Sequence, residues 1–190
     1  MGSLGNGVVF IVQTLFELYL LVLLLYVLLR ASGAHYVNPV IQTLVRISEP
    51  LIKSVRKVVP EIGRIDWAAW VVIFFVKFIE VIILMLLTSL SPNILGMLLF
   101  SLVGILKLIV NIYFFAIIIF ALMSWFQSLA QNPLNHVLYH LTNPILKPVR
   151  GLIPLIGGID LSPLAVLIIL QLINIIFLNP FLDFSIGLML

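Results

Sequence analysis

The sequence predicts an all-α membrane protein with four transmembrane helices, built as two parallel repeats of span, amphipathic cassette and span. Three observations carry this. Hydrophobic residues make up 63% of the chain and charged residues 9%, with a mean hydropathy of +1.30. A soluble core of this size would need a polar coat that the chain lacks. Four apolar runs, at 8–29, 67–88, 102–126 and 161–178, each approach the ~20 residues that cross a hydrocarbon layer. Finally, E-P-L-I-K-S-V-R-K-V-V-P-E-I-G-R-I-D at 49–66 returns as N-P-I-L-K-P-V-R-G-L-I-P-L-I-G-G-I-D at 143–160, a shift of 94 residues without a gap.

The first run is preceded by no Lys or Arg and followed by Arg30-Ala31-Ser32-Gly33-Ala34. It is long for a signal sequence, so a retained span is expected in preference to a cleaved leader. The myristoylation pattern fails at Asn6.

The first cassette, 38–66, and the second, 132–160, each open on an Asn-Pro pair. Asn as N-cap with Pro at the first helical position starts a helix. In the second cassette Leu134, Val137, Leu138 and Leu141 form one apolar face, and Asn143-Pro144 repeats the starting device. Two short helices per cassette are therefore expected, ended by Pro154 and Gly157-Gly158, with Asp66 and Asp160 capping the following spans. Such helices, with basic polar faces and both ends tethered, suit the headgroup plane. Packing between the spans is the alternative.

Between the second and third runs, Ser89-Leu90-Ser91-Pro92-Asn93 is an uncharged turn. An even number of spans per repeat makes units 1–93 and 94–190 parallel rather than inverted. Of the ten Lys and Arg residues, eight flank or lie in the cassettes: Arg30, Arg46, Lys53, Arg56, Lys57, Arg64, Lys147 and Arg150. The positive-inside rule then places both cassettes in the cytoplasm and both termini outside, with Trp67, Trp70 and Trp125 as interfacial anchors.

The paired cassette, with P-V-R-G-L-I-P-L-I-G-G-I-D-L-S-P in its second copy, resembles the YggT family, called YlmG in Gram-positive bacteria and plastids. The likeness extends to Glu17-Leu18-Tyr19 in the first run. The first cassette departs from the pattern at Ser54, Arg64 and Ala69, where the second has Pro148, Gly158 and Pro163. The resemblance implies a small integral protein of the bacterial inner membrane. It also implies a link to osmotic-stress tolerance and ion homeostasis, to division-gene neighbourhoods, or to b-type cytochrome maturation in plastids.

The residues with most chemical content lie inside the runs. Gln13 and Glu17 shift onto Lys107 and Asn111, and Lys77 and Glu80 shift onto Gln171 and Asn174. Each pair is spaced i, i+3 or i, i+4 and so shares a helix face. Charges in hydrocarbon are costly unless paired or hydrated. All eight are therefore expected to face the bundle interior, with Lys77 near Glu80 and Lys107 reaching Glu17. They form either a polar track for ions or protons, or an interhelical network that fixes packing. Arg46, Lys53, Arg56, Lys57, Lys147 and Arg150 are expected against anionic lipid headgroups.

Other chemistries find little support. There is no cysteine, hence no thiol catalysis or thiolate metal site. His136 and His140 have the i, i+4 spacing of two metal ligands but no third partner in the repeat. Gly157-Gly158 is followed by no Lys-Ser/Thr, so it is not a phosphate loop. No nucleophile, base and orienting group assemble, no cofactor motif is present, and the basic strip lacks the interleaved aromatics of a nucleic-acid surface. The expectation is a non-enzymatic membrane protein, without metal or cofactor, that supports ion homeostasis as an ion path. The alternative is an assembly or scaffold factor for membrane complexes. Its partners are the bilayer, a second copy, or another membrane protein.

Overall fold

A computed structural model describes residues 3–34, 37–63, 65–88, 93–124, 132–153 and 160–189. His35, Arg64, Trp125, the Ser89–Pro92 turn, Pro154 and Gly157-Gly158 lie outside the described residues. The elements are α1 (Ser3–Ala31), α2 (Pro39–Arg56), α3 (Trp67–Thr88), α4 (Ile94–Ser124), α5 (Pro133–Arg150) and α6 (Ser162–Ile173). A π-helical turn (Asn174–Leu178) then leads into α7 (Asn179–Gly187). Among the described residues the only β contact is an isolated bridge between Ile62 and Ile65.

Four helical stretches are long and apolar enough to cross a membrane: Gly5–Ala31, Trp67–Thr88, Ile94–Ser124 and Ser162–Gly187. The third begins at Ile94 rather than at 102. The fourth continues past 178, because the Asn179-Pro180 pair does not stop it. Pro180 has no N–H to give back to the preceding turn. The backbone widens by one residue there, and the Asn179 amide bonds the Asn174 carbonyl.

The amphipathic helices α2 and α5 begin as the Asn-Pro pairs dictate. Asn38 Oδ1 accepts from the Val40 amide and Asn132 Oδ1 from the Leu134 amide, both at 2.9 Å. Each helix then runs unbroken for 18 residues. This corrects the expectation of two short helices. Pro50, Pro144 and Pro148 sit inside the helices, and the apolar face continues across them. Burial of Leu141, Thr142 and Leu146 holds the helix together through the prolines. That face packs on protein: α2 lies against α1 and α3, and α5 against α4 and α6. Ile47, Leu51, Leu134 and Tyr139 stay exposed beside these packed faces.

The largest buried cluster joins α1 to α3, with fully buried Leu20, Leu23, Leu24 and Ile73, and takes in Ile41 and Ile52 of α2. A second cluster, Ile117, Leu146, Val166 and Leu170, joins α4, α5 and α6. A third closes the far end around Met85, Met97 and Met189. There Gly96 lets α7 approach α4: an added Cβ would stand 2.7 Å from Met189 Cγ and 3.1 Å from the Ser185 carbonyl oxygen. The ends of α2 and α5 meet where Asn38 Nδ2 donates to the Pro133 carbonyl at 2.8 Å.

Candidate functional site

The polar residues within the long apolar helices converge on a cavity of about 580 Å³ among α1, α3, α4 and α7. Six of the eight expected residues line it: Gln13, Glu17, Lys77, Glu80, Lys107 and Asn111. Lys77 and Glu80 form a buried pair, with Nζ 2.9 and 3.0 Å from the two carboxylate oxygens. Gly104 makes room for it, since a Cβ there would lie 2.8 Å from Lys77 Cε. Gln13 Nε2 donates to Glu17 Oε1 at 3.0 Å.

Lys107 does not pair with Glu17 as expected. Its Nζ donates to Asn179 Oδ1 at 2.9 Å, because the π turn brings α7 to the same wall. Asn174 Nδ2 donates to Asn111 Oδ1 at 3.3 Å, and Asn174 Oδ1 is buried without a hydrogen-bond partner among the described residues. Gln171 departs from the set: it is exposed on the outer face of α6. Asn179 and Asp183, which sequence reasoning missed, complete the lining. Their signal was present, since Asn174, Asn179 and Asp183 are spaced by five and four residues around Pro180. A π turn sets residues five apart on one face.

The lining lies on the half of each span remote from α2 and α5. At Glu17, Leu108 and Asn111 the polar cavity meets a second one, of about 590 Å³. This second cavity runs between α1 and α4 toward α2 and α5, and is lined by apolar side chains such as Leu21, Ile112, Ala116 and Leu138. A polar section thus gives way to an apolar one near mid-span.

A separate ionic cluster ties the first cassette to its spans. Asp66 is buried, and its Oδ1 accepts from the Ala69 amide at 3.1 Å, capping α3. Its Oδ2 receives Arg56 Nη2 at 2.6 Å, Arg30 Nη1 at 3.0 Å and the Tyr26 hydroxyl at 3.0 Å. Glu49 and Glu61 neutralise the two guanidiniums from outside, Glu61 pairing with both Arg30 and Arg56. Burial pushes the Asp66 carboxyl up, but hydrogen bonds from Arg56, Ala69 and Tyr26 outweigh it and hold the group below its ordinary 3.8. Arg56 is desolvated too, yet Asp66 and Glu49 raise its pKa.

Arg56 and Asp66 shift by 94 residues onto Arg150 and Asp160, and this pair also forms. Arg150 Nε donates to Asp160 Oδ2 at 2.8 Å, and the Ser162 amide donates to Asp160 Oδ1 at 2.9 Å. These partners hold Asp160 below its ordinary value against the opposing pull of burial. The second copy is simpler: Phe120, Ser124, Asn143 and Leu155 stand where the first has Tyr26, Arg30, Glu49 and Glu61.

Of the six residues expected at headgroups, Arg56 and Arg150 therefore face carboxylates, while Arg46, Lys53, Lys57 and Lys147 are exposed. His136 is exposed and His140 half-buried on α5. Among the described residues no three His, Asp or Glu side chains gather as metal ligands.

The sequence pattern of the CCB3/YggT family matches the chain twice, at residues 5–87 and 99–181. The chain belongs to the CCB3/YggT family. It is 35% identical over 169 residues to an uncharacterized protein of Escherichia coli named YggT, covering 89% of this chain and 88% of that one. A Vibrio alginolyticus protein from the proC 3′ region is 34% identical, covering 89% of this chain and 92% of its own. An uncharacterized Pseudomonas aeruginosa protein is 33% identical, covering 93% and 91%. No solved structure matches. The two family matches begin at 5 and 99, the same 94-residue interval that separates the Asn38 and Asn132 caps.

Proposed function

We propose that this YggT-family chain is a non-enzymatic, multi-pass protein of the bacterial inner membrane that supports ion homeostasis under osmotic stress. In this reading it provides a path for ions or protons, and the polar cavity is the entry to that path. The observation that carries the proposal is the convergence of Glu17, Lys77, Glu80, Lys107, Asn179 and Asp183 on one cavity. A packing network alone would have no reason to hold them around open space. Units 1–93 and 94–190 are parallel repeats in this reading, with both termini periplasmic and α2 and α5 cytoplasmic. The cavity then opens from the periplasmic half. The apolar section beyond Glu17 and Asn111 acts as a gate that conducts only when it hydrates.

Potassium and proton flux into liposomes carrying the purified protein tests this. Flux above that of protein-free vesicles, reduced in Glu17→Gln and Lys107→Gln, supports the path. Both variants leave the Lys77–Glu80 pair intact.

A second reading, an assembly or scaffold factor, is favoured by one observation: Arg46, Lys53, Lys57 and Lys147 are exposed on the cassette helices. They suit anionic headgroups or an acidic partner surface. Loss of activity in Lys53→Gln and Lys57→Gln, with Glu17→Gln and Lys107→Gln still active, would favour the scaffold.

A further inference from the structure

Gln171 is the one member of the repeated polar set that neither lines the polar cavity nor bonds another member of the set among the described residues. Its counterpart in the first repeat, Lys77, is buried against Glu80. Gln171 instead lies on the exposed face of α6, and its amide has no hydrogen-bond partner among the described residues. Nine residues separate it from Ser162, the start of α6, or about 13 Å at the rise of an α-helix. That depth is near the middle of a ~30 Å hydrocarbon core. No water or headgroup is within reach of a glutamine there, and an unpaired amide in hydrocarbon is costly.

The neighbours of Gln171 have a definite arrangement. Leu164, Ile168 and Ile175 are 56%, 54% and 54% exposed, and with Gln171 they are spaced by four, three and four residues. This is the spacing of a helix–helix seam, in which one polar residue fixes register and partner number. The glutamine amide is both donor and acceptor, so it complements an identical amide across a two-fold axis.

We propose that the outer face of α6, continued into the first turn of the π-helical segment at Ile175, is a self-association surface. Two copies of the chain pair along Leu164, Ile168, Gln171 and Ile175, and the two Gln171 amides hydrogen-bond to each other near the bilayer centre. The occupant is a second copy rather than another protein because both the seam spacing and the amide are self-complementary. The inference rests on the membrane-spanning character of α6 and is independent of ion conduction.

The chain has no cysteine, so single cysteines report directly. In proteoliposomes diluted with lipid, Ile168→Cys and Ile175→Cys should yield disulfide-linked dimers on oxidation. Leu102→Cys, on the exposed side of α4, should not. Energy transfer between labelled copies, titrated with lipid, should show Gln171→Leu associating about three- to thirtyfold more weakly, the range for interhelical polar contacts in membranes. Gln171→Asn should retain most of the association. The proposal is overturned if residues 168 and 175 crosslink no faster than 102, or if Gln171→Leu associates like the parent. It is equally overturned if these positions crosslink in native membranes only to a different protein.

Discussion

Asp66 takes its partners from three separate segments: Tyr26 and Arg30 of α1, Arg56 of α2 and the Ala69 amide of α3. Asp66→Asn removes the buried charge on which Arg30, Arg56 and Tyr26 converge. Glu49 and Glu61 still face the two guanidiniums, so the loss is that of charge-assisted hydrogen bonds, about 1.5–3 kcal/mol. The variant is therefore expected to lower thermal stability in detergent. Asp160→Asn, at a pair whose side chains are about one-third exposed, should cost no more than about 1 kcal/mol. The pH dependence follows from the same cluster. A carboxyl held below its ordinary value binds fewer protons when folded than when unfolded, so its contribution is complete above 3.8 and is lost as pH falls through the folded value. Stability should be flat in this respect from pH 7 to 5 and fall below about 4, and the acid-induced fall should be smaller in Asp66→Asn.

The helices themselves were legible in the sequence, because their signals are local. Composition places the four long apolar helices, and Asn38-Pro39 and Asn132-Pro133 place the starts of α2 and α5. Asn132→Ala should cost about 1 kcal/mol, the usual worth of such a cap. Asn38→Ala should cost more, since Asn38 also donates to Pro133 of the neighbouring helix; chemical unfolding of the two variants compares them directly. Locally, however, Asn143-Pro144 has the same signature as a true cap, and only the buried face running through it shows that it is helix interior. The same limit hid α7. The π turn at Asn174 arises from a backbone response to Pro180, and the five-residue spacing of Asn174 and Asn179 reads as one face only once that turn is known. Gln171 is a similar case: its repeat partner Lys77 is buried, but α6 presents a different face there and Gln171 is exposed.

In the whole molecule, the polar groups around the cavity are concentrated toward one end of the bundle, and an apolar section separates them from the cassette helices. This arrangement was only partly legible. The repeat named six residues of the cavity wall, but Asn179 and Asp183 enter it through the tertiary approach of α7 to α4, which Gly96 permits. If the apolar cavity is the gate, a hydroxyl in its wall lowers the cost of hydrating it. Leu21→Ser, at a half-buried position on that wall, should then raise ion flux several-fold while leaving the fold intact. The measurement that tests the central claim most directly is ion flux in proteoliposomes for the parent chain, Glu17→Gln and Lys107→Gln, with thermal unfolding to establish that each is folded. The account predicts potassium or proton flux above protein-free vesicles that falls at least about tenfold in both variants. Flux no greater than that of protein-free vesicles, or flux unchanged in both folded variants, would contradict it.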